Sequence, residues 1–543
     1  MRLCFAQLNP VIGAIKENRD RIIEALEKAK AEEADLVLFP ELAICGYPPE
    51  DLLLAPGFVD SCQQALQNIA VHSTGIAVII GLPRHAEGQQ DKPLYNSAAV
   101  LSDGKILGYQ DKSLLPTYDV FDERRFFRPG TEQQVWDIKG KKVGITVCED
   151  IWPFLQGRQV YPFDPLDFFE RNHVEILINI SASPYSLGKM RRRRELVSQI
   201  AKKFNCHFAL CNQVGGQDSI LFDGSSLLFS PLGELLYHGQ SFTEDRVTVD
   251  LATLESCSTV SEGDAAEIFF ALVMGLRDYF TKQGFKKAFV GLSGGVDSSL
   301  TASIASVALG KENIVGVLLP SRFTSPSSTE DALTVANNLG ITTMEIPIDT
   351  IFENYLELLG PIFDGSGPFG ETEENIQARI RSTILMALCN KENYLLLNTG
   401  NKSEIAMGYT TLYGDSAGAI AVIGDLLKRQ VYEVANWIHK SFGWIPPRVI
   451  QKEPTAELRP NQKDSDSIPE YAILDPILED FIVNNLSIEQ IAQKLGHSQD
   501  FILKIAQRVH RAEFKRRQCP LSLRISEKAF AVGRRVPIVE RSL

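Results

Sequence analysis

The chain has 543 residues, of which 44% are hydrophobic and 23% charged, so it is long enough for more than one domain with its own core. Its 55 basic and 68 acidic residues give a net charge of −13, which argues against a protein that coats nucleic acid or anionic membranes. No apolar run approaches the ~18 residues of a transmembrane helix, so we expect no membrane partner. Nine cysteines without a CxxC pair indicate reduced thiols and predict a cytoplasmic protein.

The first half of the chain alternates short apolar strands with helical stretches. After about residue 250 a polar stretch leads into an amphipathic helix near 265–281, and the same rhythm starts again at residue 287. Strands that alternate with helices indicate parallel sheets in an α/β fold. We therefore predict a first domain over 1–250, a linker over 251–265 and a second domain over 266–543. The predicted strands include 36–39, 76–81, 143–147 and 176–180, then 288–292, 314–319, 343–346 and 394–398.

Three reactive side chains lie at predicted strand ends in the first half. Glu41 stands in Phe-Pro-Glu, Lys112 in Lys-Ser-Leu-Leu-Pro and Cys148 in Val-Cys-Glu-Asp. A thiol with a pKa of about 8.5 is mostly protonated at neutral pH and needs a base or a cation to become a thiolate. Glu41 is suited to take that proton, and Lys112 is suited to stabilise a tetrahedral oxyanion. The pattern predicts cleavage of a carbon–nitrogen bond in an amide or a nitrile.

In this order and with these flanking residues, the three motifs resemble those of the nitrilase superfamily. The resemblance covers the first half of the chain. It implies an α-β-β-α sandwich in which Glu41, Lys112 and Cys148 are the catalytic residues, with no histidine required.

A glycine loop opens the second half. The string Ser293-Gly294-Gly295-Val296-Asp297-Ser298 lies between an apolar strand and a stretch with helical spacing. A strand that turns through glycines into a helix directs unpaired backbone N–H groups and the positive end of the helix dipole at one point, where a phosphate chain binds. The serines add hydroxyl donors, and Asp297 is suited to hold a divalent cation. The spacing is too short for a Walker A loop.

This loop resembles the pyrophosphate-binding loop of the ATP pyrophosphatases, which cleave ATP between the α- and β-phosphates to adenylate a substrate. Further strings at 398–404, 413–415, 427–432, 452–458 and 513–518 are similar in sequence and order to the NAD synthetases of that family. Together with the nitrilase-like half, the whole chain resembles the glutamine-dependent NAD synthetases. The resemblance implies a Rossmann-like second domain with a parallel sheet. It also implies ATP-dependent amidation of deamido-NAD to NAD with ammonia from L-glutamine, giving AMP, diphosphate and glutamate.

The same resemblance assigns residues to the three small-molecule substrates and to Mg²⁺. The expected glutamine contacts are Tyr118, Ser183 and Lys189. The expected ATP contacts are Ser293–Ser298 of the glycine loop, Gly291 and Leu292 just before it, and Thr399, Lys428 and Thr455 further along the chain. The expected deamido-NAD contacts are Asn375, Arg379, Glu404 and Lys515. Mg²⁺, which accompanies ATP, is expected at Asp297 and Glu404, and the resemblance implies a homo-oligomer formed through both domains.

One departure from the family pattern affects the dinucleotide site. The ammonia-dependent synthetases place a lysine and a second aspartate around the Tyr-Gly-Asp string, where this chain has Leu412 and Ala419. We therefore expect other groups to hold the nicotinate end. The four arginines at 191–194 fit either a contact with the glutamine carboxylate or a solvated basic helix start, and a nucleic-acid role is not expected in an acidic chain.

Competing interpretations require different residues. A GMP synthetase would carry a Gly-x-Cys-x-Gly nucleophile, which the sequence lacks. An asparagine synthetase needs a cysteine that becomes the first residue, whereas position 2 is Arg2. A non-enzymatic nucleotide sensor would tolerate loss of Glu41, Lys112 or Cys148, and all three are present. The sequence therefore favours the glutamine-dependent synthetase.

Overall fold

The structure is a computed structural model. It describes residues 1–86, 92–154, 161, 163–258, 263–363, 369–530 and 532–542. The chain forms two compact units, Met1–Ser261 and Glu262–Leu543, and each is described by itself. No helix within these described ranges combines the length and the apolar character needed to cross a membrane.

The described part of the first unit contains fourteen strands and four α-helices. The strands are β1 (Arg2–Gln7), β2 (Leu36–Leu38), β3 (Ala77–His85), β4 (Leu94–Ser102), β5 (Lys105–Asp111), β6 (Val135–Ile138), β7 (Lys141–Val147), β8 (Ile176–Ser181), β9 (His207–Asn212), β10 (Val214–Gln217), β11 (Ile220–Asp223), β12 (Leu227–Phe229), β13 (Leu235–His238) and β14 (Asp245–Asp250). The helices are α1 (Ile15–Ala31), α2 (Phe58–Ala70), α3 (Leu166–Arg171) and α4 (Lys189–Phe204). Short 3₁₀ turns cover Glu50–Leu54, Glu123–Arg125 and Cys148–Phe154.

Two six-stranded sheets face each other in this unit, with orders β14-β1-β2-β3-β4-β5 and β13-β12-β9-β8-β7-β6. One apolar core lies between the sheets and includes Phe5, Ile145 and Ile178. A second core joins the first sheet to α1 and α2, and a third joins the second sheet to α3 and α4. These four layers confirm the predicted α-β-β-α sandwich.

The expectation of parallel sheets is only partly correct for the first unit. The strands β1-β2-β3 and β7-β8-β9 are parallel, but antiparallel strands flank both sets. The reason is the short connections between β3, β4 and β5 and between β6 and β7, which leave no room for the crossover that a parallel pair requires. The parallel centre matters for the site because β2 and β7 lead directly to Phe39-Pro40-Glu41 and to Cys148.

Twelve α-helices and six strands lie in the described residues of the second unit. The helices are α5 (Asp264–Gln283), α6 (Val296–Leu309), α7 (Pro326–Leu339), α8 (Asp349–Leu359), α9 (Glu371–Glu392), α10 (Lys402–Met407), α11 (Lys428–Phe442), α12 (Pro447–Gln451), α13 (Tyr471–Leu478), α14 (Ile488–Leu495), α15 (Gln499–Arg511) and α16 (Glu513–Arg516). The strands are β15 (Ala288–Gly291), β16 (Ile314–Leu318), β17 (Thr342–Glu345), β18 (Leu395–Asn398), β19 (Ile420–Ala421) and β20 (Leu521–Ser522). A π-helical turn at Glu479–Val483 and 3₁₀ turns at Lys311–Asn313 and Asp464–Asp466 complete the unit.

The six strands of the second unit form one parallel sheet in the order β17-β16-β15-β18-β19-β20. This confirms the predicted Rossmann-like arrangement. After β15 the chain adds β16 and β17 on one side and then returns to add β18 on the other. Such a reversal of strand order opens a crevice at the carboxyl ends of the two central strands, which is where ligands bind in open α/β sheets. The glycine loop follows β15, and Thr399 follows β18.

We expect Ile178→Ala to destabilise the first unit. Ile178 lies in the central strand β8 and is fully buried between the two sheets. Removing its side chain leaves a cavity, so the free energy of unfolding should fall by about 2–5 kcal/mol. Urea unfolding followed by circular dichroism measures this change. The control is Leu232→Ala, because Leu232 is 69% exposed and its replacement should change stability by no more than ~0.5 kcal/mol. Equal effects of the two substitutions would contradict the assigned core.

Candidate active sites

Glu41 and Lys112, two of the three predicted catalytic residues, meet in the buried centre of the first unit. The Nζ atom of Lys112 lies 2.7 Å from Oε1 of Glu41, and both side chains are fully buried. The other oxygen, Oε2, accepts a hydrogen bond of 2.9 Å from the backbone N–H of Ala182. Oε1 also accepts a bond of 2.7 Å from the Asn96 amide. The Glu41 carboxylate is therefore fixed in position by three donors.

Cys148 occupies a strained position beside this pair. It follows β7 directly, and its φ of 43° lies in the left-handed region that non-glycine residues rarely adopt. Burial raises the pKa of its thiol well above the ordinary value, the Glu41 charge raises it further, and Lys112 opposes the shift. Burial thus favours the protonated thiol over the thiolate. The charges of Glu41 and Lys112 both act on this pKa, so the three side chains lie within electrostatic range of one another.

Glu123 is a fourth member of this cluster that sequence reasoning missed. Its Oε1 accepts hydrogen bonds from Lys112 at 2.7 Å and from the Tyr47 hydroxyl at 2.9 Å. Burial raises the pKa of Glu123 to about 7, although Lys112 opposes the shift. For Lys112, burial lowers the pKa, but Glu123 and Glu41 together raise it well above its ordinary value. In the sequence, Glu123 stands in an Asp-Glu-Arg-Arg run that has the pattern of a solvated turn.

Asp150 ties together the segments that carry Lys112 and Cys148. Its Oδ1 accepts backbone N–H bonds from Ser113 at 3.0 Å and Leu114 at 2.9 Å. Its Oδ2 accepts the N–H of Val147 at 3.0 Å. Burial raises the pKa of Asp150 to about 7, and the three backbone N–H donors and Lys112 favour the ionised form. The sequence displayed this residue in Val-Cys-Glu-Asp but gave no reason to assign it a role.

The three predicted glutamine contacts all adjoin this cluster. The Tyr118 hydroxyl donates to Oε1 of Glu149, the residue after Cys148, at 2.8 Å. Lys189, the first residue of α4, places its ammonium 5.5 Å from the ring centre of Trp152 in the turn that starts at Cys148. Ser183 follows Ala182, which donates to Glu41, and the buried Ser183 hydroxyl has no hydrogen-bond partner among the described residues.

The arginines at 191–194 do not form a uniformly solvated face. Arg193 is only 1% exposed and forms a buried ion pair with Asp223. Asp223 also accepts from the Asn212 amide at 3.3 Å, and Asn212 in turn accepts the backbone N–H of Ser183 at 3.0 Å. The interpretation as a solvated helix start is therefore wrong for Arg193, because it lies on the buried face of α4 together with Leu196 and Val197.

The glycine loop of the second unit has the geometry of a phosphate cradle. Gly294 has a φ of +78°, and a Cβ atom there would lie 2.1 Å from the backbone oxygen of Ser328. Only glycine fits such a close approach. The Ser293 and Ser298 hydroxyls lie 3.1 Å apart, and α6 begins at Val296. The free backbone N–H groups at the start of α6 consequently point into the crevice.

Two cavities border this loop, and a third adjoins both of them. The sheet cavity, of about 310 Å³, covers the carboxyl ends of β15 and β18 and is lined by Gly291, Leu292, Ser293, Thr399 and Thr455 among others. The loop cavity, of about 210 Å³, is lined by residues that include Gly295, Asp297, Ser298, Thr399, Glu404, Lys428 and Thr455. The helix cavity, of about 620 Å³, is lined by residues that include Asn375, Thr410, Arg508 and Lys515. Asp415 and Ala456 line all three.

A buried lysine joins the two predicted metal ligands. Nζ of Lys428 lies 2.5 Å from Oδ2 of Asp297 and 3.6 Å from Oε1 of Glu404. Asn401 donates to Oδ1 of Asp297 at 2.9 Å and also caps α10. Burial raises the pKa of Glu404 to about 8, Lys428 opposes this, and Asp297 and Asp464 add to it. Among the described residues no group of three or more His, Cys, Asp or Glu side chains is arranged to hold a metal ion.

The predicted dinucleotide contacts are only partly brought together. Asn375 and Lys515 line the helix cavity, whereas Glu404 lines the loop cavity. Arg379 is outside the linings of these three cavities, and its Nε donates to the backbone oxygen of Leu412 at 3.2 Å. Asp415 is a site residue that sequence reasoning quoted without a role. Burial raises its pKa to about 6, against the effect of the backbone N–H of Thr411.

Comparison with known proteins covers both units. The carbon-nitrogen hydrolase family matches residues 2–259, and the NAD synthase family matches residues 268–519. The glutamine-dependent NAD(+) synthetase of Synechocystis sp. is 45% identical to this chain, with 99% of this chain and 98% of the relative covered. That of Thermotoga maritima is 43% identical, with 100% and 99% covered. The chain belongs to the glutamine-dependent NAD(+) synthetases. Like them, it is a glutamine-hydrolysing ligase that forms NAD.

Solved structures of glutamine-dependent NAD(+) synthetases share this fold. The enzyme of Acinetobacter baumannii, determined in complex with ADP, is 38% identical and superimposes with a TM-score of 0.79, with 99% of this chain and 98% of that chain covered. The enzyme of Cytophaga hutchinsonii is 22% identical and has a TM-score of 0.84 over the same shares, which supports the fold alone.

We expect Asp150→Asn to impair glutamine hydrolysis selectively. In the variant the amide nitrogen, which cannot accept a hydrogen bond, must face at least one of the three backbone N–H donors. At least one of the hydrogen bonds that hold the segments bearing Lys112 and Cys148 together is therefore lost. The kcat for glutamine hydrolysis should fall by about 10- to 100-fold, while ammonium-supported NAD formation in the other unit stays near the original rate. Steady-state glutamate release measures the first rate. Asp20→Asn, at an exposed ion pair, is the control. Equal loss of both activities would contradict a local positioning role.

Proposed function

We propose that Cys148 is the nucleophile that cleaves the side-chain amide of glutamine. Glu41 removes the thiol proton and returns it to the departing ammonia, because its carboxylate is fixed beside Lys112 and Cys148 in a buried site. Lys112 stays charged, held by Glu41 and Glu123, and stabilises the oxyanion that forms as the thiolate attacks. Water then releases glutamate from the thioester, with Glu41 as the base. This buried cluster is the observation that carries the glutaminase half of the proposal.

We assign Tyr118, Ser183 and Lys189 to the recognition of glutamine. Lys189 supplies the positive charge for the α-carboxylate, and its position over Trp152 keeps it beside the turn that bears the nucleophile. The buried Ser183 hydroxyl lacks a partner among the described residues, so a ligand group would satisfy it. Tyr118 reaches the same turn through Glu149.

We propose that the sheet and loop cavities bind ATP. The start of α6 and the serine hydroxyls of the glycine loop suit the phosphates, and the apolar strand ends of the sheet cavity suit the adenine ring. Thr399 and Thr455 line both cavities and would contact the nucleotide along its length. Lys428 would meet the phosphates from the opposite wall. The ADP bound to the Acinetobacter baumannii relative supports a nucleotide site in this family.

Charge balance in the loop cavity favours a divalent cation with the nucleotide. Two lysines and six carboxylates line it, the latter being Asp297, Glu404, Asp415, Glu453, Glu457 and Asp464. A polyphosphate entering such a cavity needs further positive charge. We propose that Asp297 and Glu404 would hold Mg²⁺, since this ion is commonly bound by one or two carboxylates together with substrate phosphates. When bound, it supplies charge that stabilises the leaving pyrophosphate.

We propose that the helix cavity binds deamido-NAD, with its nicotinate carboxylate directed to the junction at Asp415. A carboxylate oxygen attacks the α-phosphorus of ATP and pyrophosphate leaves. Ammonia then attacks the acyl carbon, AMP leaves, and the amide of NAD results. Asn375 and Lys515 line this cavity, and Glu404 lies in the adjoining one. We also propose that Arg379 contacts a part of the dinucleotide that extends beyond the cavity wall.

We further propose the organisation of the protein. The glutaminase domain would cover 1–250 and the synthetase domain 266–543, with 251–265 as a linker. A cytoplasmic location is supported by the nine cysteines, all of which are free thiols. We propose a homo-oligomer formed through both domains, with deamido-NAD, ATP and L-glutamine as the small-molecule substrates.

Replacing the proposed nucleophile should affect NAD formation from glutamine but not from ammonium. We expect Cys148→Ala to abolish NAD formation from glutamine, while ammonium chloride still supports synthesis at a rate within about twofold of the original enzyme, because the ATP site lies in the other unit. NAD formation with ATP, Mg²⁺ and deamido-NAD is measured with each nitrogen source. Cys62→Ala, at another buried cysteine of the first unit, is the matched control. If Cys148→Ala lost both activities equally, the cysteine would be structural.

Replacing the acidic residue of the glycine loop gives the opposite pattern. We expect Asp297→Asn to lower AMP formation by on the order of 100-fold or more with either nitrogen source, because the amide cannot neutralise Mg²⁺ or pair with Lys428. Glutamine hydrolysis should remain detectable, since Cys148 is in the first unit. AMP and glutamate are quantified in the same reaction. Normal synthesis at ordinary magnesium concentrations would remove Asp297 from the site.

A further inference from the structure

Two of the cations that line the helix cavity, Arg508 and Lys515, are held by backbone carbonyl groups. Arg508 donates from Nε to the backbone oxygen of Met407 at 3.0 Å and from Nη1 to that of Ser467 at 2.5 Å. Lys515 donates to the backbone oxygens of Gly408 at 2.9 Å and Thr410 at 2.7 Å. Within the described part of the chain, neither side chain forms an ion pair with an acidic group. Carbonyl dipoles orient the two cations but do not neutralise them.

An arginine of the same cavity that does form ion pairs shows the contrast. Arg459 lies 3.1 Å from a carboxylate oxygen of Glu374 and 2.9 Å from one of Asp466, so its charge is compensated within the fold. Arg508 is partly buried, and burial lowers its pKa, although Tyr409 and Glu371 oppose the shift. A guanidinium that loses water without a carboxylate in direct contact is unfavourable. An anionic ligand in the cavity would remove this cost.

Both cations converge on a single turn. Met407 ends α10, and the carbonyl groups of residues 407, 408 and 410 hold Arg508 of α15 and Lys515 of α16 on the same wall of the cavity. The hydroxyl of Thr410 lies on that wall too, buried and without a hydrogen-bond partner among the described residues. One unused hydroxyl donor and two cations that form no ion pair among the described residues make a site for a phosphate-type anion.

We propose that Arg508 binds the pyrophosphate bridge of the dinucleotide. This rests on the proposed assignment of the helix cavity to deamido-NAD. The nicotinate carboxylate has to lie at the junction with the ATP cavities, because it attacks the α-phosphorus there. The pyrophosphate is then the anionic group left for the interior of the helix cavity. Arg508 offers a planar pair of donors to its oxygens.

Binding measurements on the full-length protein test this assignment. We expect Arg508→Met to weaken the binding of deamido-NAD by about 10- to 100-fold, the loss typical of a charge-assisted hydrogen bond, and Arg508→Lys to restore part of it. NAD retains the pyrophosphate but lacks the carboxylate, so its affinity should fall by the same factor. The affinity for ADP should not change. Calorimetric titration of each ligand gives these constants.

The matched control is Lys504→Met, which removes one positive charge from the same helix. Lys504 is 71% exposed and pairs with Asp500 at 2.7 Å. The proposal is overturned if Arg508→Met resembles this control or weakens ADP binding by the same factor. It is also overturned if only deamido-NAD is affected, since the contact would then be with the carboxylate. If the original protein itself bound no deamido-NAD, the proposed function would fail before the role of Arg508 was reached.

Discussion

The ammonium group of Lys112 lies 2.7 Å from carboxylate oxygens of both Glu41 and Glu123, and all three side chains are withdrawn from water. Burying one ammonium with two carboxylates is costly unless every member is paired and hydrogen-bonded. The surrounding fold meets this condition through the Tyr47 hydroxyl, the Asn96 amide and the backbone of Ala182. The cluster therefore depends on the segments that follow β2, β5 and β8 being held together, and the proposed nucleophile Cys148 depends on the same arrangement. The proposed catalytic arrangement and the core of the first unit are thus parts of one structure.

The second unit also pairs a buried lysine with two carboxylates, but this cluster is open to a cavity. Lys428 is buried and is shared between Asp297 and Glu404, but these carboxylates border a cavity and keep partial exposure. Because a protonated Glu404 is favoured by burial, entry of a cation would shift this carboxyl toward its charged form. The first cluster is closed and suited to proton transfer near neutrality. The second is open and suited to an exchange of counter-ions between lysine, metal and phosphate, which is what adenylation of a carboxylate requires.

Sheet topology explains why the residues of each site are far apart in sequence. In the first unit, parallel β2 and β7 lead directly into the Glu41 and Cys148 segments, and Lys112 follows β5, so three loops meet at one end of the sandwich. In the second unit, the reversal of strand order between β15 and β18 opens the crevice for the glycine loop and Thr399. Helices α15 and α16 then add the wall that carries Arg508 and Lys515. Each unit thus forms its candidate site at strand ends, and in the second unit helices add a further cavity.

The sequence alone predicted the two α/β folds and the motifs at their strand ends, because apolar periodicity and a glycine turn before a helix are local properties. It also indicated the reaction, through strings whose spacing is particular to one family. Only the tertiary structure revealed Glu123, Asp150 and Asp415, since a carboxylate in a polar run has the same pattern whether it is solvated or buried. The tertiary structure also showed that Arg193 is buried and that Arg379 lies outside the linings of the described cavities. Which face of a helix is covered, and which charge finds a partner, depends on contacts between distant segments, so those facts exist only once the chain is folded.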